Sequence, residues 1–445
     1  MSEELPDLID EVVVATESEY EKVMQNIVAT QEPAEIALLL ESLPLAQRVA
    51  AWEKIKADQR LAILVEMRGD PRESLLDEMS ITELDGLFAD ISSEDLLELA
   101  DSLPNRLIDR ALNAMDEQQR GYFQDAQQYA DDTAGHWVNR ELLSLPLNAK
   151  VRDGLRLLRR KLPDYTDTIF LLNRAGHFSE AVRVSAIIGA PDHVHLVDLS
   201  EETFPLILDT DDALAAAKKV QGSGFTALPV VNDHDLLIGR FHIGNACEIV
   251  NESFESQVMA SAGLDEDEDL FSPVTKSAKN RALWLGINLL TAFLASWFIG
   301  LFEATLQQAV ALAVLMPVVA SMGGIAGSQT LTLIVRGLAM GQVTKANRQA
   351  LLKKELQVGG LNGAVWAVVI GIVAAIWFDM PALGFVIGLA ILVNIVSAAL
   401  SGVVIPVLLD KMKLDPALSG SVVLTTVTDI VGFVAFLGLG TLVLL

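Results

Sequence analysis

The chain has 445 residues, of which 51% are hydrophobic and 20% charged, with a formal charge of −27. That length and composition exclude a disordered protein and suit two or three domains. The charge is uneven. From Phe271 to the end there are 10 Lys+Arg and 6 Asp+Glu, leaving 22 and 53 in the part before it, a balance of −31. An acidic half of this kind repels nucleic acid and attracts cations. The single Cys247 excludes a disulfide framework and fits a reducing compartment. The acidic start, Met1 to Asp7, lacks the basic region of a signal peptide, so none is expected.

Residues 34–128 read as helices throughout. Ile36, Leu39, Leu40 and Leu43 keep the i, i+3, i+4, i+7 spacing, as do Leu84, Leu87, Phe88 and Ile91, then Leu96, Leu99, Ala100 and Leu103. Ser80 and Glu83 fit a capping box. Leu39-Leu-Glu-Ser-Leu-Pro44 and Leu99-Ala-Asp-Ser-Leu-Pro104 echo one another, which suggests stacked helical hairpins.

The texture changes near Tyr129. Thr168–Leu172 reads as a strand and Asn173–Gly176 as a turn. Phe225–Val231, a polar turn at Asn232–Asp235, and Leu236–Phe241 make a second strand–turn–strand. Helical patterns flank both, so two α/β modules are expected. Residues 251–280 form a polar linker holding Asp265-Glu-Asp-Glu-Asp269, an acidic run of the kind that usually stays solvated.

Five long segments then follow with almost no internal charge: Ala282–Phe302, Ala304–Val335, Leu356–Phe378, Met380–Leu409 and Pro416–Leu445, the last interrupted only by Asp429. About 20 apolar residues cross a bilayer core, so five transmembrane helices are expected. Lys276, Lys279, Arg281, Arg336, Lys345, Arg348, Lys353, Lys354, Lys411 and Lys413 all flank the spans on one side, while the other connections hold Glu303 and Asp379. The positive-inside rule therefore puts the large N-terminal half in the cytoplasm and Leu445 outside.

Asp429 is the fourteenth of thirty residues in the last run, near the bilayer midplane. A charge there costs about 2.5–3.5 kcal/mol on insertion scales, so an ion pathway is the expected reason for it. A protonated Asp bonded between helices is the blander reading. Thr425, Thr426 and Thr428 offer oxygens to either arrangement. The second span carries Pro317, Gly323, Gly324 and Gly327 at membrane depth, which permits either broken or closely packed helix. Together with Gln329 and Asp429 this points to pore lining.

No catalytic constellation emerges, so no enzyme is expected. The six His lack metal-ligand spacing on a common helix, and there is no GxxxxGK phosphate loop to drive a pump. An intramembrane aspartyl protease needs two carboxylates sharing a proton, and only Asp429 lies mid-membrane.

Taken together the residues after position 30 resemble the MgtE family of magnesium transporter-channels. The likeness rests on Pro317…Gly323-Gly…Gly327-x-Gln329, Leu414-Asp-Pro-Ala-Leu418 and Thr428-Asp-Ile-Val-Gly432, in that order on the right spans. Thr226-Ala-Leu-Pro-Val-Val231 with Gly239 resembles a CBS signature, and Tyr129 with Thr133-Ala-Gly135 resembles the start of the first CBS module. The resemblance implies an all-α superhelical N domain (1–128), tandem α/β CBS domains (129–252), an acidic linker with a plug helix (253–280) and a five-helix membrane domain (281–445).

By the same resemblance, Asp429 binds Mg²⁺ in the pore of a homodimer in the inner membrane. Mg²⁺ dehydrates reluctantly and keeps octahedral oxygen geometry, so two facing carboxylates suit it. Ile325, Ser328, Gln329 and Asn394 are implied as pore-lining with Pro317 and the glycines, and Glu303 as an acid at the outer mouth. Asp415, Glu94 and Glu98 are implied as regulatory Mg²⁺ ligands that help close the pore as cytosolic Mg²⁺ rises.

Three departures from the family pattern are visible. Its Gly-Gly-Asn reads Gly323-Gly-Ile325, and its Asn-Gln reads Ser328-Gln329. The nucleotide-contacting CBS pattern is eroded, reading Gly239, His242, Asn245 in one module and Glu180, Arg183, Ala186 in the other. The second module ends Gly244-Asn-Ala-Cys-Glu248, with fewer acids than the family sensor. The expectation is a dimeric divalent-cation channel or transporter, most simply for Mg²⁺. The alternatives are a membrane-anchored metal sensor, or a preference for Co²⁺, Ni²⁺ or Mn²⁺.

Overall fold

A computed structural model describes every residue except 1–4, 15–16, 90, 201–203, 265–267, 269 and 415. It divides into two compact units, Met1–Glu255 with Asp267–Pro273, and Ser256–Glu266 with Val274–Leu445.

The first unit opens with short helices: α1 Leu5–Val14, α2 Glu17–Thr30, α3 Pro33–Glu41, α4 Leu45–Glu53, α5 Ala57–Glu66, α6 Gly69–Glu78, α7 Ile81–Leu87, α8 Ser93–Leu99, α9 Asn105–Ala114 and α10 Glu117–Ala126. Polar caps define several starts. Glu83 N donates to Ser80 Oγ while Ser80 N donates to Glu83 Oε2, the expected capping box, and Ser92 with Asp95 repeats it at α8. The two echoing phrases form the same kind of junction, since Pro44 and Pro104 are the N-cap residues of α4 and α9. The helices do not pair simply as hairpins. Helix α3 packs on α5, α4 on α6 and α5 on α7, so the chain winds a superhelix around Leu39, Leu40, Leu64, Phe88, Leu96 and Leu99. Inside it the buried Arg48 donates to the carbonyls of Leu40, Glu41 and Leu43 at the end of α3 and to Ser74 Oγ on α6. These bonds add to the backbone cap at the end of α3, where the Leu40 carbonyl also accepts from Leu43 N, and help satisfy helix-end acceptors.

Two α/β modules follow, as expected. The first holds β1 Ser144–Pro146, α11 Val151–Leu157, β2 Thr168–Leu172, β3 Phe178–Arg183 and α12 Val184–Ile188. The second holds β4 Ile207–Leu208, α13 Ala213–Ser223, β5 Ala227–Val231, β6 Leu237–His242 and α14 Ile243–Ser261. Each sheet pairs its first strand parallel and its last antiparallel to the middle one. The modules are an internal repeat: β5, β6 and the start of α14 follow β2, β3 and the start of α12 at one constant offset along the chain. The hairpin turns match as well. Asn173 Oδ1 accepts from the amides of Ala175 and His177, and Asn232 Oδ1 from those of His234 and Leu236. Gly176 and Asp235 are the left-handed residues at equivalent places. Residues 251–261, read as polar linker, continue α14 as helix.

The second unit contains α15 Val274–Gly300, the short α16 Glu303–Gln308, α17 Val310–Ala339, α18 Arg348–Trp377, α19 Pro381–Lys411 and α20 Pro416–Leu444. The five long helices are apolar enough to cross a membrane, so the chain is a multi-pass membrane protein. Helix α19 is central, packing on α17, α18 and α20, while α15 leans on α20. Backbones approach closely where glycines face each other. A Cβ on Gly384 would lie 2.4 Å from the carbonyl oxygen of Gly371, and one on Gly388 2.8 Å from that of Ala367. Such contacts replace the hydrophobic drive that lipid removes. Helix α17 runs unbroken through Pro317, and Gly323 and Gly327 serve packing and not interruption.

Candidate functional site

Helix α17 sorts the expected pore residues by face. Gly323 and Gly327 point inward, where an added Cβ would meet Asn394 at 2.2 Å and Leu424 at 3.0 Å. Gly324 has open space around it, and Pro317, Ile325, Ser328 and Gln329 are exposed. Asn394, from α19, is fully enclosed within the protomer between Gly323 and Gly432. Its Nδ2 donates to the carbonyl of Val319 at 2.9 Å, while Oδ1 is buried without a hydrogen bond.

Asp429 lies on α20, half-buried, with no hydrogen bond or ion pair among the described residues. The three nearby threonines bond their own helix instead of Asp429. The hydroxyls of Thr425, Thr426 and Thr428 donate to the carbonyls of Ser421, Val422 and Thr425 on their own helix. The bland reading, an Asp bonded between helices, finds no partner here. Glu303 is exposed at the start of α16, where Gln307 Nε2 donates to its Oε1 at 3.2 Å. Asp415 lies outside the described residues.

A cavity of about 400 Å³ beside α17 and α18 is lined by Ile325, Gln329, Thr330, Glu355, Asn362 and Trp366, among others. Glu355 was not singled out from the sequence, because it follows Lys353 and Lys354 at the edge of an apolar run. It is 3% exposed and accepts from Lys354 Nζ at 2.6 Å and Thr330 Oγ1 at 3.3 Å.

The first unit holds a second, acidic cavity of about 390 Å³ between the superhelix and the modules. Helix α8 contributes Glu94 and Glu98, the sequence-expected pair, and both line it. Asn139 Nδ2 donates to Glu94 Oε2 at 2.9 Å, and Arg72 Nη2 lies 3.6 Å from Glu98 Oε1. Burial, with Glu141 and Asp95 nearby, pushes Glu94 up to about 7. Burial, with Glu98, Glu252 and Glu66 nearby, pushes Glu248 up to about 8. Oxygen atoms of Glu98, Glu248 and Glu252 lie within 4.8 Å of one another, a crowding of like charge that Arg72 offsets in part and that a proton or a cation would relieve further. Sequence reasoning passed over Glu252. The signal was its i, i+4 spacing from Glu248, which required seeing that α14 continues past residue 251.

The eroded nucleotide positions are already occupied by internal partners. His242 stacks on Tyr165 with ring centroids 5.0 Å apart, and burial beside Arg240 lowers it to about 4. Asn245 Nδ2 donates to the carbonyl of Trp137, Arg183 stacks 3.9 Å over the Phe225 ring, and Ala186 has no polar side chain. Glu180, the one carboxylate in the two triplets, accepts from Ser200 Oγ, and the positions where the pattern brings an Asp hold Asn245 and Ala186, so the triplets do not fit a nucleotide held in that pattern.

Residues 31–132 match the MgtE intracellular N domain, and residues 316–439 match MgtE, described as a divalent cation transporter. The chain belongs to the MgtE family. That is a family of transporters and not of enzymes, in keeping with the sequence reading. The magnesium transporter MgtE of Enterococcus faecalis is 28% identical over 73% of this chain and 72% of its own length. MgtE of Bacillus subtilis is 25% identical over 79% of this chain and 78% of its own. The cystathionine beta-synthase pair domain of a Shewanella oneidensis MR-1 protein is 34% identical, covering 38% of this chain and 99% of that one with a TM-score of 0.33. Along this chain the 31–132 match lies on the superhelix and the 316–439 match on α17 to α20.

Proposed function

We propose that the chain carries Mg²⁺ across the inner membrane through a pore formed between two copies, with Asp429 as the pore ligand. The observation that carries this reading is the unpartnered, half-buried Asp429 carboxylate in the middle of a span. A charge so placed needs a compensating partner, and a cation in transit supplies it. Two Asp429 side chains across a two-fold axis offer −2 to a +2 ion that keeps its water shell, which suits Mg²⁺. The relatives named magnesium transporters support the choice of ion. The basic flanks support a cytoplasmic N-terminus and an external C-terminus.

The same reading makes the first unit a sensor. Rising cytosolic Mg²⁺ occupies the Glu98–Glu248–Glu252 cluster, with Glu94 beside it, and holds the superhelix on the CBS pair. That state closes the pore, because a bound ion favours whichever arrangement binds it more tightly. Asp415 is proposed to serve the cytosolic end of the pore, and residues 253–280 to link sensor and membrane helices.

The test is Mg²⁺ uptake into liposomes containing the purified protein. Wild type should fill the vesicles, and Asp429→Asn, which keeps shape and loses charge, should not. Undiminished uptake by Asp429→Asn would remove Asp429 from the pore. Uptake of Co²⁺, Ni²⁺ or Mn²⁺ in preference to Mg²⁺ would overturn the ion assignment alone.

A further inference from the structure

Where α18 begins and α19 ends, the membrane unit carries a small groove unrelated to Asp429. Leu352, Val403, Val404, Val407 and Leu408 line its apolar floor, and Arg348, Gln349 and Lys411 its polar end, around about 200 Å³. No acidic side chain lines it. Neither cation has a hydrogen-bond or ion-pair partner among the described residues, and Arg348 Nε is buried without one. The neighbouring Asp410 does not pair with Lys411. Val404 and Leu408 are 45% and 53% exposed, so the apolar floor continues onto the outer face of α19.

The start of α18 adds to the positive field. Its N-cap, Asn347, makes no side-chain cap bond; its amide serves Thr344 N and Gln342 O instead. The Arg348 N–H is taken by the Thr344 carbonyl, so the start of α18 adds its helix dipole to the positive field and no side-chain cap opposes it. Two unpaired cations, a helix start and an apolar trough running along a membrane helix match one molecule: a phosphate with a hydrocarbon tail.

We propose that this groove binds an anionic glycerophospholipid of the leaflet on the side of the basic flanks. The phosphate sits between Arg348 and Lys411, and an acyl chain follows Val404 and Leu408. Charge complementarity selects the occupant. A zwitterionic lipid brings its own cation to the same two, and a second copy of this chain would need to offer an acid there. Basic pockets between membrane helices on the cytoplasmic side are a recurring form of anionic headgroup site.

The test is native mass spectrometry of the full-length protein in detergent, titrated with phosphatidylglycerol or phosphatidylcholine. Wild type should retain phosphatidylglycerol selectively. Arg348→Gln with Lys411→Gln should weaken that binding about thirty-fold, the combined effect of two charge contacts at a membrane surface. Val407→Phe, which fills the trough and keeps both charges, should also weaken it. Lys345→Gln with Lys353→Gln removes two charges on the same side that do not line the groove, and should bind as wild type does. Equal retention by the first double variant, or equal loss in the second, would mean that general surface charge and not this groove holds the lipid. Displacement by inorganic phosphate at matched concentration would make it a free-phosphate site and overturn the lipid assignment. A change of oligomeric state with unchanged lipid retention would make the groove an interface between copies and overturn it as well.

Discussion

Gly323 and Asn394 share a space in which one added carbon does not fit: a Cβ on Gly323 would lie 2.2 Å from Asn394 Nδ2. That amide is fixed by its bond to the Val319 carbonyl and by Gly432 on its other side. Gly324, the next residue, faces nothing within 4 Å. Gly323→Ala should therefore cost about 1–3 kcal/mol through overpacking, while Gly324→Ala should leave stability nearly unchanged. Thermal unfolding of the two variants in detergent checks this, and equal melting temperatures would refute the packing of Asn394 between α17 and α20.

Asp429→Ala and Asp429→Asn should separate structure from transport. The carboxylate makes no bond to any of the described residues, so its removal should leave the melting temperature at or above that of wild type. Transport should be lost in both. Unfolding of either variant would show that Asp429 is bonded to another helix after all.

Ile325 is 57% exposed and lines the same cavity as Gln329 and Glu355. Ile325→Asn should thus be tolerated by the fold and alter the ratio of uptake rates among Mg²⁺, Co²⁺ and Ni²⁺. Unaltered rates and ratios would place side chain 325 against lipid and away from the ion path.

The acidic cavity sets a pH dependence whose sign follows from Glu94 and Glu248. Their folded values, about 7 and about 8, stand above the ordinary 4.5. Between those limits the folded state binds more protons than the unfolded one, so stability falls as pH rises. His242 acts oppositely, since its folded value of about 4 lies below 6.5, and it stabilises as pH rises to 6.5. The carboxylates are therefore read above pH 6.5. In Mg²⁺-free buffer, hydrogen exchange in α8 and α14, corrected for intrinsic rates, should speed up from pH 6.5 to 8. Added Mg²⁺ should reverse this, Glu94→Gln should make it shallower, and Glu94→Gln with Glu248→Gln should flatten it. A pH-independent rate would mean that these acids do not hold the contact.

Neutralising Glu98, Glu248 and Glu252 together should raise the Mg²⁺ concentration that protects residues 251–280 from protease. Because each carboxylate supplies one of few oxygen ligands, the shift should be about tenfold or more. An unchanged midpoint would remove the cluster from Mg²⁺ sensing.

What the sequence by itself determined were the features written in local pattern. Helical periodicity marked the superhelix, turn chemistry at Asn173 and Asn232 marked both hairpins, and uncharged runs marked the five spans. Asp429 stood out for the same reason, as one charge in thirty apolar residues. Tertiary structure decided which way side chains face. Gly323 and Gly324 are identical as letters, yet one touches Asn394 and the other open space, because adjacent residues on a helix point about 100° apart. It also decided partnership. Glu98 on α8 meets Glu248 and Glu252 on α14, with both α/β modules lying between them in the chain, a separation over which no spacing rule operates. The groove of Arg348 and Lys411 joins the first turn of one helix to the last turn of the next. Only antiparallel packing of α18 and α19 brings those two charges to one end of the membrane.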